Sequence, residues 1–400
     1  MAAGPRVLMV TGEYPPYLGG VGDYTALLCR HLTEAGAAVS VLTSRLSEAP
    51  TVPESAGGPG LFRLIQKWGY GSCGEIASLA KRQGCQVVHL QYQAAAFGMH
   101  PFANLLPAYL RVRLSGVKVV TTFHDLRVPY LFPKAGPLRA RALKAMDSRS
   151  HASVLTNEPD LQELGGPGVG PGGKTGKRWL IPIGSNVDNA PPTDFDRQLW
   201  RRQMGADEET MMVSYFGFMN DTKGVEFLVQ ALGLLLGRGI HLKLVVVGGE
   251  AGDTDPTNRD YSKRLLQMIQ SRHLEDRVYW TGFVSAEQVS ASLLSSDICA
   301  LPFRDGASVR RGSLLAAILH GLPVVTTFPE KPEPLLVNGE NLAMVERDSP
   351  RALADALEEL WRDPAARAGL SAGARKLAER FAWPEIAARH LEMYESLLSH

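Results

Sequence analysis

Short apolar runs alternate with longer segments of helical period along most of the chain. In the first half the apolar runs predict strands at 6–11, 38–43, 86–91, 117–122, 152–155 and 178–182. In the second half they predict strands at 211–216, 242–247, 277–281, 298–302 and 323–326. Because such alternation builds βαβ units, the pattern predicts an α/β protein with two Rossmann-like, doubly wound parallel sheets.

The chain length and one break in this pattern predict a boundary between two domains. At 400 residues the chain exceeds what one hydrophobic core usually organises. Turn formers and paired prolines interrupt the alternation at 184–192, as is typical of interdomain linkers. We expect an N-terminal domain over 1–184 and a C-terminal domain over 185–384, facing each other across a cleft.

Composition restricts the binding partners and the cellular compartment that we expect for the protein. Lys and Arg number 42 and Asp and Glu 41, so a net charge of +1 gives no reason to expect nucleic acid as a partner. The four cysteines include no C-x-x-C pair, which favours a reducing compartment. No apolar run reaches the ~18 residues of a membrane span. We expect a cytoplasmic protein without a transmembrane segment, for which peripheral membrane contact stays open.

Two patterns suggest phosphate or metal chemistry, but their surroundings argue against both. Residues 168–175 match the P-loop G-x-x-x-x-G-K-[ST], yet they lack the preceding buried strand and following helix that a P-loop needs. Asp253 and Asp255 form a D-x-D triplet, a type of carboxylate pair that suits divalent cations. The triplet lies in the polar loop 250–259, for which a solvated loop is the simpler interpretation. We predict no metal and no cofactor.

A glycine-rich turn joins the first predicted strand to a helix predicted over 22–35. It contains Gly19, Gly20, Val21 and Gly22. Thr25 takes the place of the third glycine of G-x-G-x-x-G, so the turn is not a dinucleotide fingerprint. Glycines here let the backbone approach a phosphate, with the positive end of a helix behind it. A tight structural turn is the alternative.

His124 follows the predicted strand 117–122 directly. It therefore lies at the carboxyl edge of a parallel sheet, where open α/β sheets bind ligands. We consider two interpretations for it, a contact with substrate and a structural histidine.

A second turn, after the predicted strand 211–216, carries Gly217, Phe218 and Lys223. It leads into a helix predicted over 224–236, so Lys223 is expected beside a helix N-terminus at the edge of the sheet. A cation in that place suits an anionic ligand.

A third turn links the predicted strand 298–302 to an apolar helix over 314–320. It comprises Ser308, Arg310, Arg311, Gly312 and Ser313. Guanidinium groups beside a helix start add fork-shaped donors to the partial positive charge of the helix end, which suits a diphosphate. A solvated basic turn is the alternative.

These motifs, in this order, resemble the GT-B glycosyltransferases, and most closely the retaining sugar-nucleotide transferases of glycosyltransferase family four. The resemblance covers nearly the whole chain. The segments that carry it are 15–22, Val88-His89, His124-Asp125, 181–184, Gly217, Lys223-Gly224, Val247-Gly248, 281–283, Asp297, Leu301-Pro302, 320–325 and 338–341.

The resemblance implies a retaining hexosyltransferase that uses a nucleoside-diphosphate sugar, with a UDP-sugar preferred over a GDP-sugar, and needs no metal. The C-terminal domain would bind this donor, and the N-terminal domain a sugar, lipid-linked or small-molecule acceptor. The last helix, 385–400, would join the N-terminal domain. The turn 19–22 would face the diphosphate, Lys223 and the 310–313 turn would neutralise it, and His124 would approach the donor sugar. His124, Lys223 and Arg311 are the predicted catalytic residues.

The sequence departs from the family pattern at three positions. Phe218 replaces an arginine, and Ser308 and Ala316 replace both members of a glutamate pair. We hypothesise that Arg310 and Arg311 partly replace the missing cation. The departures leave two alternatives open, a non-catalytic nucleotide-sugar-binding protein and a nucleotide-sugar epimerase or hydrolase.

Overall fold

Two α/β units divide the chain between them, one comprising Met1–Gly184 with Ala382–His400 and the other Ser185–Phe381. The computed structural model describes residues 4–17, 19–46, 58–126, 136–165, 174–175, 177–248 and 256–399. Each unit contains one sheet whose strands are flanked by helices in chain order. The predicted fold class, α/β with two Rossmann-like domains, is confirmed.

The sheet of the first unit has the order β3-β2-β1-β4-β5-β6-β8-β7 and is parallel except for the β7–β8 pair. Its strands are β1 (Arg6–Thr11), β2 (Ala38–Ser44), β3 (Gly60–Ile65), β4 (Val87–Tyr92), β5 (Lys118–Phe123), β6 (Ala152–Leu155), β7 (Lys174–Thr175) and β8 (Arg178–Leu180). Its helices are α1 (Gly20–Glu34), α2 (Tyr70–Arg82), α3 (Phe102–Arg113), α4 (Gly136–Arg149), α5 (Glu158–Glu163) and, from the chain end, α13 (Trp383–Leu398).

Strand β1 shows why this sheet is covered on both faces. Leu8 and Val10 belong to one hydrophobic cluster, and Val7 and Met9 belong to a second. Successive side chains of a strand point to opposite faces, so an unbroken apolar run requires a helical layer on each side.

Helix α13 belongs to the first unit because its first residue packs into that unit. The Trp383 indole stacks on His31 of α1, with ring centroids 6.0 Å apart. A Cβ atom on Gly184 would lie 2.6 Å from Cε2 of the same indole. A side chain at position 184 would therefore displace Trp383.

The second unit contains an all-parallel sheet with the order β11-β10-β9-β12-β13-β14. Its strands are β9 (Met211–Phe216), β10 (Leu242–Val247), β11 (Val278–Trp280), β12 (Ile298–Leu301), β13 (Val324–Thr327) and β14 (Ala343–Val345). Its helices are α6 (Arg197–Gln203), α7 (Val225–Gly237), α8 (Pro256–Ser271), α9 (Ala286–Ser295), α10 (Gly312–Leu319), α11 (Pro350–Arg362) and α12 (Pro364–Ala378).

Three strands are absent from the sequence prediction: β3, β7 and β14. Strand β3 is only partly buried and β14 has three residues at the end of its sheet, so neither shows the continuous apolar run of a central strand. Among the described residues, no helix combines the length and apolar character that crossing a bilayer requires.

Candidate functional site

Strand order in the second unit reverses between β9 and β12, and the loops after these two strands carry most of the predicted site. In a parallel sheet, ligands bind at the carboxyl ends of the strands where the order switches. The loop after β9 runs to Gly224, and the loop after β12 runs from Pro302 to Arg311. The topology thus brings the two predicted basic turns to one edge.

Lys223 and Arg311 meet at a buried aromatic ring, that of Phe303. The Lys223 ammonium lies 5.3 Å from the ring centroid and the Arg311 guanidinium carbon 4.2 Å from it. Attraction between a cation and an aromatic face holds both groups in place. The structure thereby brings together two of the three predicted catalytic residues.

Asp305 balances part of this positive charge. Its carboxylate forms an ion pair with Arg311, whose Nε also donates to the Gly306 carbonyl at 3.1 Å. The pKa of Lys223 is lowered to about 8, by burial first and by the charge of Arg311 second, while the charge of Asp305 opposes the shift. Lys223 is thus a cation that gives up its proton near pH 8.

The backbone at Gly224 fixes the position of Lys223. Gly224 has φ +66°, and a Cβ atom there would overlap the carbonyl oxygen of Pro302 in the neighbouring loop. Asn220 caps the short 3₁₀ turn Asp221–Lys223 by accepting from the Thr222 amide at 3.1 Å. Only glycine allows the two loops to approach this closely.

Gly217 lets the end of strand β9 approach the start of helix α10. Gly217 has φ +134°, and a Cβ atom on it would lie 3.7 Å from Cβ of Ser313 in the first turn of α10. Phe218, at the position where an arginine was expected, has 57% of its surface exposed. Gly217 and Ser313 thus come together, while Phe218 presents an aromatic ring to solvent.

Helix α10 begins at Gly312, directly after Arg311. No side chain caps its N-terminus, so its first backbone N–H groups have no cap partner and favour an anion. The side chain of Arg310 is half-buried, and its backbone N–H donates to Ser308 Oγ at 3.4 Å.

Ser308 leads to a residue that the sequence analysis missed. Its hydroxyl donates to Oε1 of Glu333 at 2.6 Å. Glu333 is only 9% exposed. It lies 25 residues along the chain in the loop after β13, and no motif surrounds it.

In the first unit, helix α1 begins at Gly20 rather than at the predicted position 22, so Gly20, Val21 and Gly22 form its first turn. This first turn packs closely on the preceding backbone. A Cβ atom on Gly22 would lie 3.2 Å from the carbonyl carbon of Glu13. Gly19 is the N-cap residue and provides no side-chain cap, so the first amides of α1 remain suited to an anion.

Glu13 is a second residue that the sequence analysis missed. A Cβ atom on Gly19 would overlap its carboxylate, so a side chain at position 19 would displace the carboxyl group of Glu13. Burial, and secondarily the charge of Asp23, raise the pKa of Glu13. A carboxyl group thus lies beside the start of α1, where it would compete with an external anion.

His124 lies where the sequence places it, just after β5, and is half-buried. Its Nε2 is 2.8 Å from Oε1 of Gln91, and its ring meets Tyr24 of α1 edge-on at 4.8 Å between centroids. Tyr24 in turn contacts Trp383 at 5.4 Å. The first unit therefore brings His124 and helix α1 together through Tyr24.

The two rejected motifs fall largely outside the described residues. Of the P-loop match, only Lys174 and Thr175 are described, and they form a short strand antiparallel to β8 instead of starting a helix. Asp253 and Asp255 lie outside the described residues. Within the described part of the chain, no group of three or more His, Cys, Asp and Glu side chains could hold a metal ion.

Known glycosyltransferases are similar in sequence to nearly the whole chain. The chain is 26% identical to a D-inositol 3-phosphate glycosyltransferase of Xylanimonas cellulosilytica, over 98% of this chain and 96% of that one. It is 25% identical to a GDP-mannose-dependent alpha-(1-6)-phosphatidylinositol monomannoside mannosyltransferase of Mycobacterium tuberculosis, over 96% of both. With further D-inositol 3-phosphate glycosyltransferases, such as that of Corynebacterium glutamicum, the match spans about half of either chain.

Solved structures show the same fold. Sucrose-phosphate synthase from Thermosynechococcus elongatus matches with a TM-score of 0.75 at 20% identity, over 99% of both chains. HepE from Anabaena, solved with UDP and glucose, matches with a TM-score of 0.70 at 18% identity, over 98% of this chain and 100% of that one. These likenesses show the GT-B fold.

Two family models match the chain, one in each half. The model described as Glycosyltransferase Family 4 matches residues 18–164, and the model described as Glycosyl transferases group 1 matches residues 210–363. The two matches together cover most of the sequence, and the chain belongs to the family-four glycosyltransferases of the GT-B fold.

Proposed function

We propose that this glycosyltransferase moves a hexose from a UDP-sugar, with a GDP-sugar as the second choice, to an acceptor hydroxyl with retention of configuration. The observation that carries the proposal is the pair of cations, Lys223 and Arg311, on the ring of Phe303 at the switch point of the second sheet. Two cations beside the uncapped start of α10 suit a diphosphate better than a single phosphate or a neutral ligand.

The names of similar proteins support this choice of donor. HepE was solved with UDP and glucose, and the mycobacterial relative is named as GDP-mannose-dependent. We propose that the second unit binds the donor and the first unit the acceptor. Inositol phosphates, phosphoinositide glycolipids and simple sugars are the acceptor classes to test, the first two on the names of the relatives.

In the proposed reaction, the bond between the anomeric carbon and the diphosphate oxygen breaks. The acceptor oxygen attacks the same face of the sugar, and its proton passes to an oxygen of the leaving phosphate. Negative charge then accumulates on the diphosphate, where Lys223, Arg311 and the first amides of α10 stabilise it. In comparable oxyanion sites, each preorganised hydrogen-bond donor lowers the activation free energy by about 2.7–4 kcal/mol. These protein cations take the place of a metal ion in the proposed mechanism.

The test is to incubate the purified protein with UDP-glucose, UDP-galactose, UDP-N-acetylglucosamine and GDP-mannose, with and without each acceptor. The anomeric configuration is then read by proton NMR. We expect acceptor-dependent release of nucleoside diphosphate, a retained linkage and the same rate in EDTA. An inverted product or an EDTA-sensitive rate would contradict the mechanism, and turnover without an acceptor would indicate an epimerase or hydrolase.

A matched pair of variants locates the reaction. Lys223→Met should abolish most of the activity, while Lys263→Met, at an exposed position of α8, should leave it unchanged. Equal transferase activity in the two variants would show that Lys223 takes no part in the reaction.

A further inference from the structure

The loop that follows β13 places a buried carboxylate, that of Glu333, against the loop that carries Arg311. Glu333 is 9% exposed, and its Oε1 accepts the Ser308 hydroxyl at 2.6 Å. A carboxylate is seldom buried to this degree unless its environment compensates for the lost hydration. The protein therefore holds a carboxylate in a largely buried position beside the loop that carries Arg311.

The loop after β12 and the loop after β13 are joined by backbone contacts. The Ala307 amide donates to the Thr327 carbonyl at 3.2 Å, and Thr327 Oγ1 donates to the Phe303 carbonyl at 2.6 Å. A Cβ atom on Gly306, which has φ +84°, would lie 2.6 Å from the Phe328 carbonyl oxygen. Because β12 and β13 are neighbours in the sheet, both loops lie at the carboxyl edge near Phe303.

Hydrogen bonds on the other side of Glu333 hold its loop in place. The Leu336 amide donates to the Glu333 carbonyl at 2.9 Å. The side-chain amide of Asn341 accepts from the Val337 amide at 3.0 Å and donates to the Leu335 carbonyl at 2.9 Å. Glu333 is therefore anchored on both sides, as a residue that positions a ligand must be.

The chemistry of this arrangement fits the hydroxyl groups of a sugar ring. An ionised carboxylate has two oxygens and about four lone-pair sites, so ligand hydroxyls can share it with the partners that the protein provides, Ser308 among them. It would repel a phosphate, which the neighbouring Lys223 and Arg311 attract. One edge of the sheet thus offers cations for a diphosphate and a carboxylate for hydroxyls, the two groups that a nucleotide sugar combines.

We propose that Glu333 binds hydroxyl groups of the nucleotide-sugar donor and that Ser308 orients its carboxylate. The inference rests on the proposed function and assigns a specific residue to donor recognition. The hydroxyls belong either to the ribose of the nucleotide or to the hexose.

The experiment measures dissociation constants for UDP and UDP-glucose by calorimetry in the full-length protein. Glu333→Gln should weaken binding by about tenfold or more, because a hydrogen bond to a charged group is lost. Weaker binding of both ligands would assign Glu333 to the ribose, and weaker binding of UDP-glucose alone would assign it to the hexose. Glu330→Gln, an exposed carboxylate of the same loop, is the matched control and should change neither constant.

Two further comparisons distinguish a failure of the inference about Glu333 from a failure of the proposed function. Ser308→Ala should show the same ligand preference as Glu333→Gln with a smaller loss, and thermal unfolding should show that both variants are folded. If the natural protein binds both ligands and Glu333→Gln binds them equally well, the inference is wrong. If the natural protein binds neither UDP nor UDP-glucose but does bind GDP or GDP-mannose, the same comparison is made with those ligands. If it binds none of the four, the proposed function itself fails.

Discussion

Lys223 and Arg311 lie over one aromatic ring, 5.3 Å and 4.2 Å from the centroid of Phe303. Two like charges held this close, one of them largely buried, oppose each other, and the pKa of Lys223 falls to about 8 through burial first and Arg311 second. An anion that bridges the two groups would relieve the repulsion. The proposed diphosphate would therefore bind at a place where the unliganded protein holds two cations against their mutual repulsion.

This relationship predicts how the affinity for UDP depends on pH. Above about pH 8 the unliganded protein loses the Lys223 proton, and binding an anion must then restore it. The affinity should therefore fall as the pH rises from 8 to 10, by up to about tenfold per pH unit for one linked proton. Calorimetric titration between pH 6.5 and 10 measures this, and constant affinity over that range would contradict it.

Two substitutions should move this transition in opposite directions. Arg311→Gln removes a repelling charge, so the pKa of Lys223 should rise and the loss of affinity should begin at a higher pH. Asp305→Asn removes an attracting charge, so the loss should begin at a lower pH. Lys223→Arg keeps the charge throughout and should show no transition. Transitions at one pH in all of these variants would exclude Lys223 as their origin.

Gly224→Ala should destabilise the second unit and weaken UDP binding. The substitution places a side chain at φ +66° and against the Pro302 carbonyl oxygen. A left-handed conformation costs a non-glycine residue about 1–2 kcal/mol, and the overlap with Pro302 adds to that cost. We expect a lower urea midpoint together with weaker binding of UDP.

Gly237→Ala is the control for this experiment. Gly237 ends the same helix, α7, and a Cβ atom on it meets nothing within 4 Å. Alanine there should leave stability unchanged or raise it slightly, by up to about 1 kcal/mol. Equal effects of the two substitutions would show that neither the left-handed backbone of Gly224 nor its contact with Pro302 affects stability or UDP binding.

Part of this site could be predicted from sequence and part could not. Strand β1 was expected at 6–11 and lies at Arg6–Thr11, because a strand buried on both faces is an unbroken apolar run. The basic turns were identified because strand, turn and helix are consecutive in the sequence. Glu333 was not, since its pairing with Ser308 depends on β12 and β13 being neighbours and on the path of two loops. Contacts between distant segments leave no local pattern.

His124→Ala should lower kcat and leave the affinity for UDP unchanged. The reason is that His124 belongs to the first unit, whereas Lys223 and Arg311 belong to the second. The control is His100→Ala, a half-buried histidine of the first unit whose ring contacts Tyr70. Steady-state rates and calorimetry on both variants provide the comparison. An unchanged kcat in His124→Ala would assign His124 a structural role beside Gln91 and Tyr24.

Acid should weaken the first unit through the buried histidines that join α13 to the sheet. His89 on β4 lies 2.6 Å from the Tyr394 hydroxyl and 2.7 Å from that of Thr122. Beside it, Nε2 of His390 on α13 has no hydrogen-bond partner among the described residues. Burial lowers the pKa of His390 to about 4 and lowers that of His89 as well. Neither ring readily accepts a proton while the unit stays folded.

The lowered pKa values of these histidines determine how the free energy of unfolding changes with pH. In the unfolded chain a histidine takes up its proton near pH 6.5, whereas folded His390 does so only near pH 4. Between these values the unfolded state binds more protons, so stability falls as the pH falls, by about 3 kcal/mol for His390 alone. His390→Leu should reduce this fall, while His241→Leu, at an exposed position, should retain it. Urea unfolding between pH 4 and 7 tests the difference, and equal slopes in the two variants would show that His390 does not cause the acid sensitivity.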